Sequence, residues 1–395
     1  MKILYWSPYI GHVGTIKAVI NSAISMKKYG KYDVTIVKNH SEWEGFEEHI
    51  NNNEINIVDF GLKKRFPNLY KTKFMGSRLY MITVAFFGFF QLRKYLKKEK
   101  PDILITNLIA LPAILSAISI KNSPKIIASI QGYPKFLGLP DTSNYEWWMY
   151  AEDTLRKSLW NHIYKRVDKI VCMTEDTRKK LIDKTTLKAS NIIVIENPVI
   201  DDAIYISARE VINNEWFNDT SIKQIVAIGR LSFQKDFQSL IKAISIVKQD
   251  MDVKLTIFGE GEDRKELEHL IKKLNLENIV KLHGFTTNPF KYLKNSDLFV
   301  LSSRWEDPGH VLLEAATLKV PIVSTSCPSG PAILLENGKG GFICNVEDFQ
   351  DMANKIIEAL SNNDENKIET AYRFSQRYTL KSHFDALNKL IEEIK

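Results

Sequence analysis

Strand-like and helix-like segments alternate along this chain twice over, with one lapse between the two series, and that pattern admits few folds. In the first half, runs rich in β-branched and aliphatic residues stand at Ile3–Ser7, Val34–Lys38, Ile55–Phe60, Ile103–Asn107, Lys125–Ile130, Lys169–Met173 and Ile192–Glu196. Helical periodicity fills the gaps, most clearly over Thr15 to Tyr29, Ser77 to Lys98 and Trp147 to Arg166, where apolar residues recur at three- and four-residue steps. A polar stretch near Asn213 to Thr220 interrupts the pattern, which restarts with strands at Gln224–Ile228, Lys254–Phe258, Val280–Leu282, Leu298–Leu301 and Ile322–Ser324. Strands joined through helices form parallel sheets with helices on both faces, so the expected architecture is α/β, with two doubly wound domains in tandem. At 395 residues the chain has length for two such cores. The expected division is 1–205 and 206–377, with a last amphipathic helix, 378–395, packing back on the first domain. Ligands of doubly wound sheets bind at the carboxyl ends of the strands, and the active site is expected in the cleft between the domains.

Three scattered cysteines, Cys172, Cys327 and Cys344, fit neither a disulfide framework nor the paired spacing of a zinc site. The N-terminus runs directly into a strand pattern with no signal-peptide signature, so a cytoplasmic location is expected. The formal charge of +7 is spread over helical faces, and no basic stripe interleaved with stacking aromatics accompanies it, which disfavours nucleic acid as a partner.

Chemistry concentrates in the second half. Gly229-Arg230-Leu231 follows a strand, and Lys235 stands five residues after Arg230 at the entrance to a helix. A planar guanidinium and a compact ammonium together suit a diphosphate, although a surface Arg and Lys near a helix start would read the same in isolation. Farther on, the strand Leu298–Leu301 leads into Ser302-Ser303-Arg304-Trp305-Glu306-Asp307-Pro308-Gly309-His310-Val311, and Glu314 follows inside the next helix. The first backbone N–H groups of that helix, at Gly309, His310 and Val311, form an anion site, and ionised carboxylates at Glu306 and Glu314 accept hydrogen bonds from sugar hydroxyls. On spacing alone, the favoured reading is that Glu306 caps the helix and Glu314 faces solvent.

Taken in order, Gly229-Arg230-Leu231 with Lys235, Phe258-Gly259-Glu260-Gly261, His283-Gly284-Phe285 and the Glu306 to Glu314 segment resemble the retaining glycosyltransferases of family 4, the GT-B fold of two Rossmann-like domains. The resemblance is close over about 222–345 and loose over the first domain; Asn197-Pro198-Val199 fits it at the linker. The Glu-Asp-Pro-Gly wording, with Cys327-Pro328-Ser329-Gly330-Pro331 downstream, is similar to members that build bacterial surface polysaccharides and lipid-linked oligosaccharides. What the resemblance implies is a nucleotide diphosphate sugar donor, UDP being expected from its frequency in the family, and a glycan or lipid-linked acceptor. Glu306, Arg230 and Lys235 would be catalytic. Gly14, Gly259, Phe285, Gly309, His310, Val311 and Glu314 would join them around the donor, with Glu314 on the ribose. His12, Val13, Gly14 and Gln131 would face the acceptor.

The chain departs from the family pattern in three places. Val13 replaces the first glycine of a usual Gly-Gly pair, Gln131 stands where many relatives carry histidine, and Ala332-Ile333 stands where a basic residue and Glu are common. Glutamine hydrogen-bonds a hydroxyl but is no general base. Asp250-Met251-Asp252 superficially resembles a metal-binding Asp-x-Asp, yet it precedes a strand at the opposite end from the ligands, so no metal and no other cofactor is expected. The alternatives are a non-catalytic nucleotide-sugar-binding protein of the same fold and a nucleotide-sugar epimerase.

One apolar run, Leu79 to Phe90, is flanked by Lys63, Lys64, Arg65, Lys71, Lys73 and Arg78 before it and Arg93, Lys94, Lys97 and Lys98 after it. It is too short to span a bilayer. A helix buried in the first domain is the favoured expectation, and peripheral contact with an anionic membrane, at the inner face of the cytoplasmic membrane, is the other.

Overall fold

The computed structural model describes the chain apart from residues 10–13, 67–75, 132–146, 218, 220, 307, 308, 328, 329 and 363, and apart from the side chains of 14, 76–81 and 147–153. It divides into two compact units, Met1–Pro198 with Leu380–Lys395, and Val199–Thr379. The division therefore falls seven residues before the expected 205/206. The reason is local: Val199 and Ile200 donate their N–H groups to Tyr378 O, and the helix that follows buries Ile204 in the second unit's core.

The first unit opens with β1 (Lys2–Trp6), α1 (Gly14–Gly30), β2 (Asp33–Lys38), α2 (Glu47–Asn52), β3 (Asn56–Asp59), α3 (Leu62–Arg65) and α4 (Gly76–Glu99). It continues with β4 (Ile103–Thr106), α5 (Leu111–Ile118), β5 (Lys125–Ile130), α6 (Trp147–Tyr164), β6 (Lys169–Cys172), α7 (Glu175–Lys184) and β7 (Ile192–Val194). The second unit holds α8 (Asp202–Ser207), β8 (Lys223–Ile228), α9 (Phe237–Val247), β9 (Val253–Phe258), α10 (Arg264–Lys273), β10 (Val280–Gly284) and α11 (Phe290–Lys294). After these come β11 (Leu298–Leu301), α12 (His310–Thr317), β12 (Ile322–Thr325), α13 (Pro331–Leu334), β13 (Phe342–Cys344), α14 (Phe349–Ser361) and α15 (Glu365–Ser375). The terminal helix α16 (Leu380–Ile394) belongs to the first unit.

The strand orders are β3-β2-β1-β4-β5-β6-β7 and β10-β9-β8-β11-β12-β13. All the described pairings are parallel, for example Ile3 with Val34 and Ile103, and Ile225 with Leu255 and Leu298. Each sheet reverses its winding between its first and fourth strands, β1/β4 in one unit and β8/β11 in the other. That reversal opens a crevice at the strand ends and makes the loops there the places to look for a site.

Alternation along β1 shows how the first core is divided. Leu4 and Trp6 face α4 and α5, while Ile3 and Tyr5 face α1 and α16, as the two-residue period of a strand requires. Helix α4 corrects one expectation. It buries Val84, Leu92 and Leu96, and lies so near β1 that a Cβ on Gly88 would come within 2.6 Å of the Trp6 ring. Its other side leaves Ile82, Phe86 and Phe90 65, 61 and 56% exposed. The run is hydrophobic on both faces of the helix, and the sheet covers only one.

Candidate active site

At the switch point of the second unit, the loop after β8 carries Gly229 to Asp236 and the loop after β11 carries Ser302 to Gly309. Ser302 Oγ locks them together by donating to Lys235 O at 2.6 Å, and Thr325 Oγ1, at the end of β12, steadies the second loop by donating to Ser303 O at 2.6 Å. Residues 71 apart in sequence then meet, because Lys235 Nζ donates to Glu306 Oε1 at 2.5 Å. Ser303 Oγ donates to the same oxygen at 2.5 Å. The side chains of this pair are only 15 and 7% exposed. Both bonds fall on Oε1, so Oε2 keeps its acceptor capacity for a hydroxyl. The stem of Lys235 lies over Gly229, where a Cβ would stand 3.1 Å from Cε.

The adjoining strand ends are joined by backbone. Gly229 N donates to Phe258 O, Leu231 N to Glu260 O, and Gly259 N to Gly284 O. Gly259 has φ +147, and a Cβ there would sit 1.8 Å from Gly229 O. Its glycine therefore sets the close approach of two loops and, through Gly229, the seat of Lys235. Phe285, just beyond β10, is 71% exposed at this edge.

Gly309 is the N-cap of α12, with φ 91, a left-handed conformation that glycine adopts without penalty. Gly309 has no side chain to cap the helix, and among the described residues the hydrogen bonds of Glu306 come from Lys235 and Ser303 and not from this first turn. The first turn, with His310 and Val311, points N–H groups that have no intrahelical acceptor toward the strand end, beside Glu306, and Glu314 is half-buried one turn inside.

Arg230 is placed differently from Lys235. It is 72% exposed and pairs through Nε with Glu262 at 3.0 Å, so the two cations expected to act together stand apart here. At the rim, Arg304 stacks 4.0 Å from the Phe233 ring and pairs with Asp236 and Glu347. Gln234 Nε2 donates to Trp305 O at 2.9 Å. Cys327 is buried close by; burial pushes its thiol above the ordinary range and the Glu306 carboxylate adds to the effect, which keeps it a neutral thiol.

In the first unit, Gln131 follows β5 and Asn107 follows β4. Gln131 Nε2 donates to Ser129 Oγ at 2.8 Å and to Asn107 Oδ1 at 3.3 Å, and its Oε1 accepts from Asn197 Nδ2 at 2.9 Å. Asn107 Nδ2 is buried with no hydrogen-bond partner among the described residues. These groups line a cavity of about 20 Å³, enough for one water. On its wall, Ser22 Oγ bonds to Tyr5 Oη at 2.9 Å and to His383 Nε2 at 2.8 Å, while His383 Nδ1 donates to Glu196 O at 2.8 Å. Burial pushes His383 down to about 4, so it stays neutral. Gly14 opens α1; His12 and Val13 lie outside the described residues.

Ser303, Thr325, Asn107 and Asn197 had no role assigned from the sequence. A polar residue within two positions of a strand end at a switch point is the signal that would have found Asn107 and Ser303. Asp250 and Asp252 precede β9, at the amino end of the strands and away from Glu306. Among the described residues, no three His, Cys, Asp or Glu side chains gather as metal ligands.

Two family models match the chain, "Glycosyltransferase Family 4" over residues 30–203 and "Glycosyl transferases group 1" over 208–377. An uncharacterized glycosyltransferase of Methanocaldococcus jannaschii is 30% identical over 71% of this chain and 66% of its own length. Another, from Haemophilus influenzae, is 26% identical over 100% of this chain and 99% of its own. Among solved structures, Anabaena HepE in complex with UDP and glucose covers the whole of both chains at a TM-score of 0.73 and 17% identity, a likeness of fold. With the ordered motifs on two doubly wound units, these matches place the chain in glycosyltransferase family 4, as a glycosyltransferase of the GT-B type.

Proposed function

We propose that the chain transfers a hexose or N-acetylhexosamine, with retention of configuration, from a nucleotide diphosphate sugar to a glycan or lipid-linked acceptor. The product belongs to a bacterial surface polysaccharide, lipopolysaccharide or glycoprotein glycan, a reading supported by the Glu306-to-Gly309 and Cys327-to-Pro331 wording. UDP is the favoured nucleotide, supported by the HepE structure of the same fold, which holds UDP and glucose.

The observation that carries this reading is the buried Lys235–Glu306 pair beside the N-terminus of α12. A diphosphate needs positive charge and N–H donors, and a sugar needs an acceptor for its hydroxyls; here the three adjoin. Lys235 and the first turn of α12 receive the phosphates, with Arg230 swinging from Glu262 to assist. Glu306 Oε2 accepts a hydroxyl of the transferred sugar, and Glu314 holds the ribose. In the step itself the bond from C1 to the diphosphate oxygen breaks, and the acceptor oxygen bonds to C1 on the same face. Its proton passes to a phosphate oxygen of the leaving group. Charge grows on that leaving group, so fixed cations and N–H dipoles lower the barrier most where they face it. The cations of the chain serve this purpose without a metal ion or other cofactor.

Thermal-shift screening of UDP-, GDP- and ADP-sugars tests the donor, since ligand bound to the folded state raises the melting temperature. A shift with none of them sinks the donor assignment. Anomeric NMR of the product tests retention, and an inverted linkage overturns it. Activity that a chelator abolishes and manganese restores overturns metal independence.

A further inference from the structure

The outward side of α4 has no charged residue from Ile82 to Phe90, and it exposes Ile82, Phe86 and Phe90 at successive four-residue steps over about 12 Å of helix. Ring packing organises the stripe: Phe86 stands edge-on to Phe90 at 5.2 Å and to Phe87 at 5.6 Å. The same helix layer exposes Leu155 and Leu159 of α6, 62 and 50% open. Other outward helix faces of this protein differ. On α10, Arg264 bridges Glu260 and Glu268, and on α14 Lys355 bridges Glu358. A monomer has no reason to keep a stripe of phenylalanines in water.

The neighbouring charge says what covers it. Phe66, at the end of α3, packs against Phe87 with ring centroids 5.5 Å apart, which holds the Lys63-Lys64-Arg65 turn against the aromatic stripe. Lys63 pairs with Glu44, but Lys64 and Arg65 are exposed with no ion-pair partner among the described residues. Apolar rings rimmed by unneutralised cations match an anionic lipid surface, where aromatics enter the headgroup boundary and cations stay among the phosphates. A second copy of the chain matches less well, since a two-fold interface over this stripe would bring like charges together.

We infer that the α3–α4 face of the first unit, with Phe86 and Phe90 at its centre and Lys64 and Arg65 at its rim, docks the protein on membranes containing anionic phospholipid. The docking is peripheral: among the described residues, no helix is long and apolar enough to cross a membrane.

Flotation with phosphatidylcholine vesicles, with and without about 30% phosphatidylglycerol, tests this in the absence of any donor. The intact chain is expected to float with the anionic vesicles and to release in high salt. Phe86→Ser with Phe90→Ser, and separately Lys64→Glu with Arg65→Glu, are each expected to lower the partition about tenfold or more, with an unchanged melting temperature because the side chains are exposed. No flotation of the intact chain overturns the inference, as does flotation of both variants at the wild-type level. So does a dimer in sedimentation velocity that the serine variant dissociates while the intact chain ignores vesicles. Vesicle binding requires no sugar chemistry, so its failure leaves the proposed reaction standing, and a failed donor screen leaves the docking face standing.

Discussion

The strand-end loops of the two units are built from opposite materials. In the second unit a lysine and a glutamate are buried as a charged pair, held by serine hydroxyls and by loops whose backbones touch. In the first unit, Asn107, Gln131 and Asn197 make a network of neutral carboxamides around a small cavity, with a neutral histidine behind it. A charged, rigid site suits a constant ligand with fixed negative charge. Carboxamides donate and accept at low electrostatic cost, which suits hydroxyls whose positions differ from one acceptor to another. Under the proposed function, the second unit's site faces the donor and the first unit's network faces the acceptor.

Breaking the charged pair is the most severe test of that contrast. Lys235→Ala removes the cation and leaves Glu306 buried without it, so turnover is expected to fall by about 10² to 10³. Stability is expected to fall by about 3–5 kcal/mol, because an uncompensated buried carboxylate is costly. Steady-state kinetics and urea unfolding of the two proteins measure these effects; near-wild-type turnover in the folded variant would mean that the pair is structural only.

The neutral histidine gives a pH test confined to the first unit. His383 stays uncharged in the folded chain down to about pH 4, whereas in the unfolded chain it takes a proton near 6.5. The unfolded state thus binds more protons between these values. Its stabilising contribution is complete above about 6.5 and is lost as the pH falls toward 4, by up to roughly 3 kcal/mol. Urea titrations from pH 7 to 4 should show a shallower decline in His383→Gln than in the wild type; parallel curves would show that the imidazole is not what the acid attacks.

A smaller effect separates acceptor from donor. Gln131→Ala is expected to raise the acceptor KM about fivefold while donor hydrolysis without acceptor stays near wild type, since a single neutral hydrogen bond is worth about 1 kcal/mol. Equal losses in both assays would erase the division of labour between the two networks.

The smallest expected change is in the stability of Arg230→Ala, within about 0.5 kcal/mol, because its pair with Glu262 is exposed and screened. The donor KM should nonetheless rise, by roughly tenfold if the guanidinium turns to the diphosphate. An unchanged KM would leave Lys235 and α12 as the phosphate site by themselves.

What could be read in advance follows from the range of each interaction. The seven strands of the first unit stood out because β-branched runs between helical periods are local signals, and α16 was legible to within two residues from its amphipathic period. β13 was missed because Phe342-Ile343-Cys344 is too short to show any period. Helix α4 was bounded within one residue at either end, yet the sequence could not decide between a buried helix and one with an exposed apolar side, since a run apolar on every side carries no record of which side meets the sheet. The glycines told a similar story: the Phe258-Gly259-Glu260-Gly261 motif was visible, but that Gly259 makes room for Gly229 O appears only when β8 and β9 pair.

By itself, then, the order of residues determined the alternation of elements, the two-unit division to within seven residues, and the identity of the strand-end loops that carry charge. These are consequences of short-range preferences repeated along the chain. Tertiary structure alone decided that Lys235 spans 71 positions to reach Glu306, that Arg230 turns to Glu262 instead, that Gln131 is held by Asn107 and Asn197, and that α4 keeps its phenylalanines outside. Such choices depend on which side chains the parallel pairing of distant strands brings within hydrogen-bonding distance, and no local pattern encodes that distance.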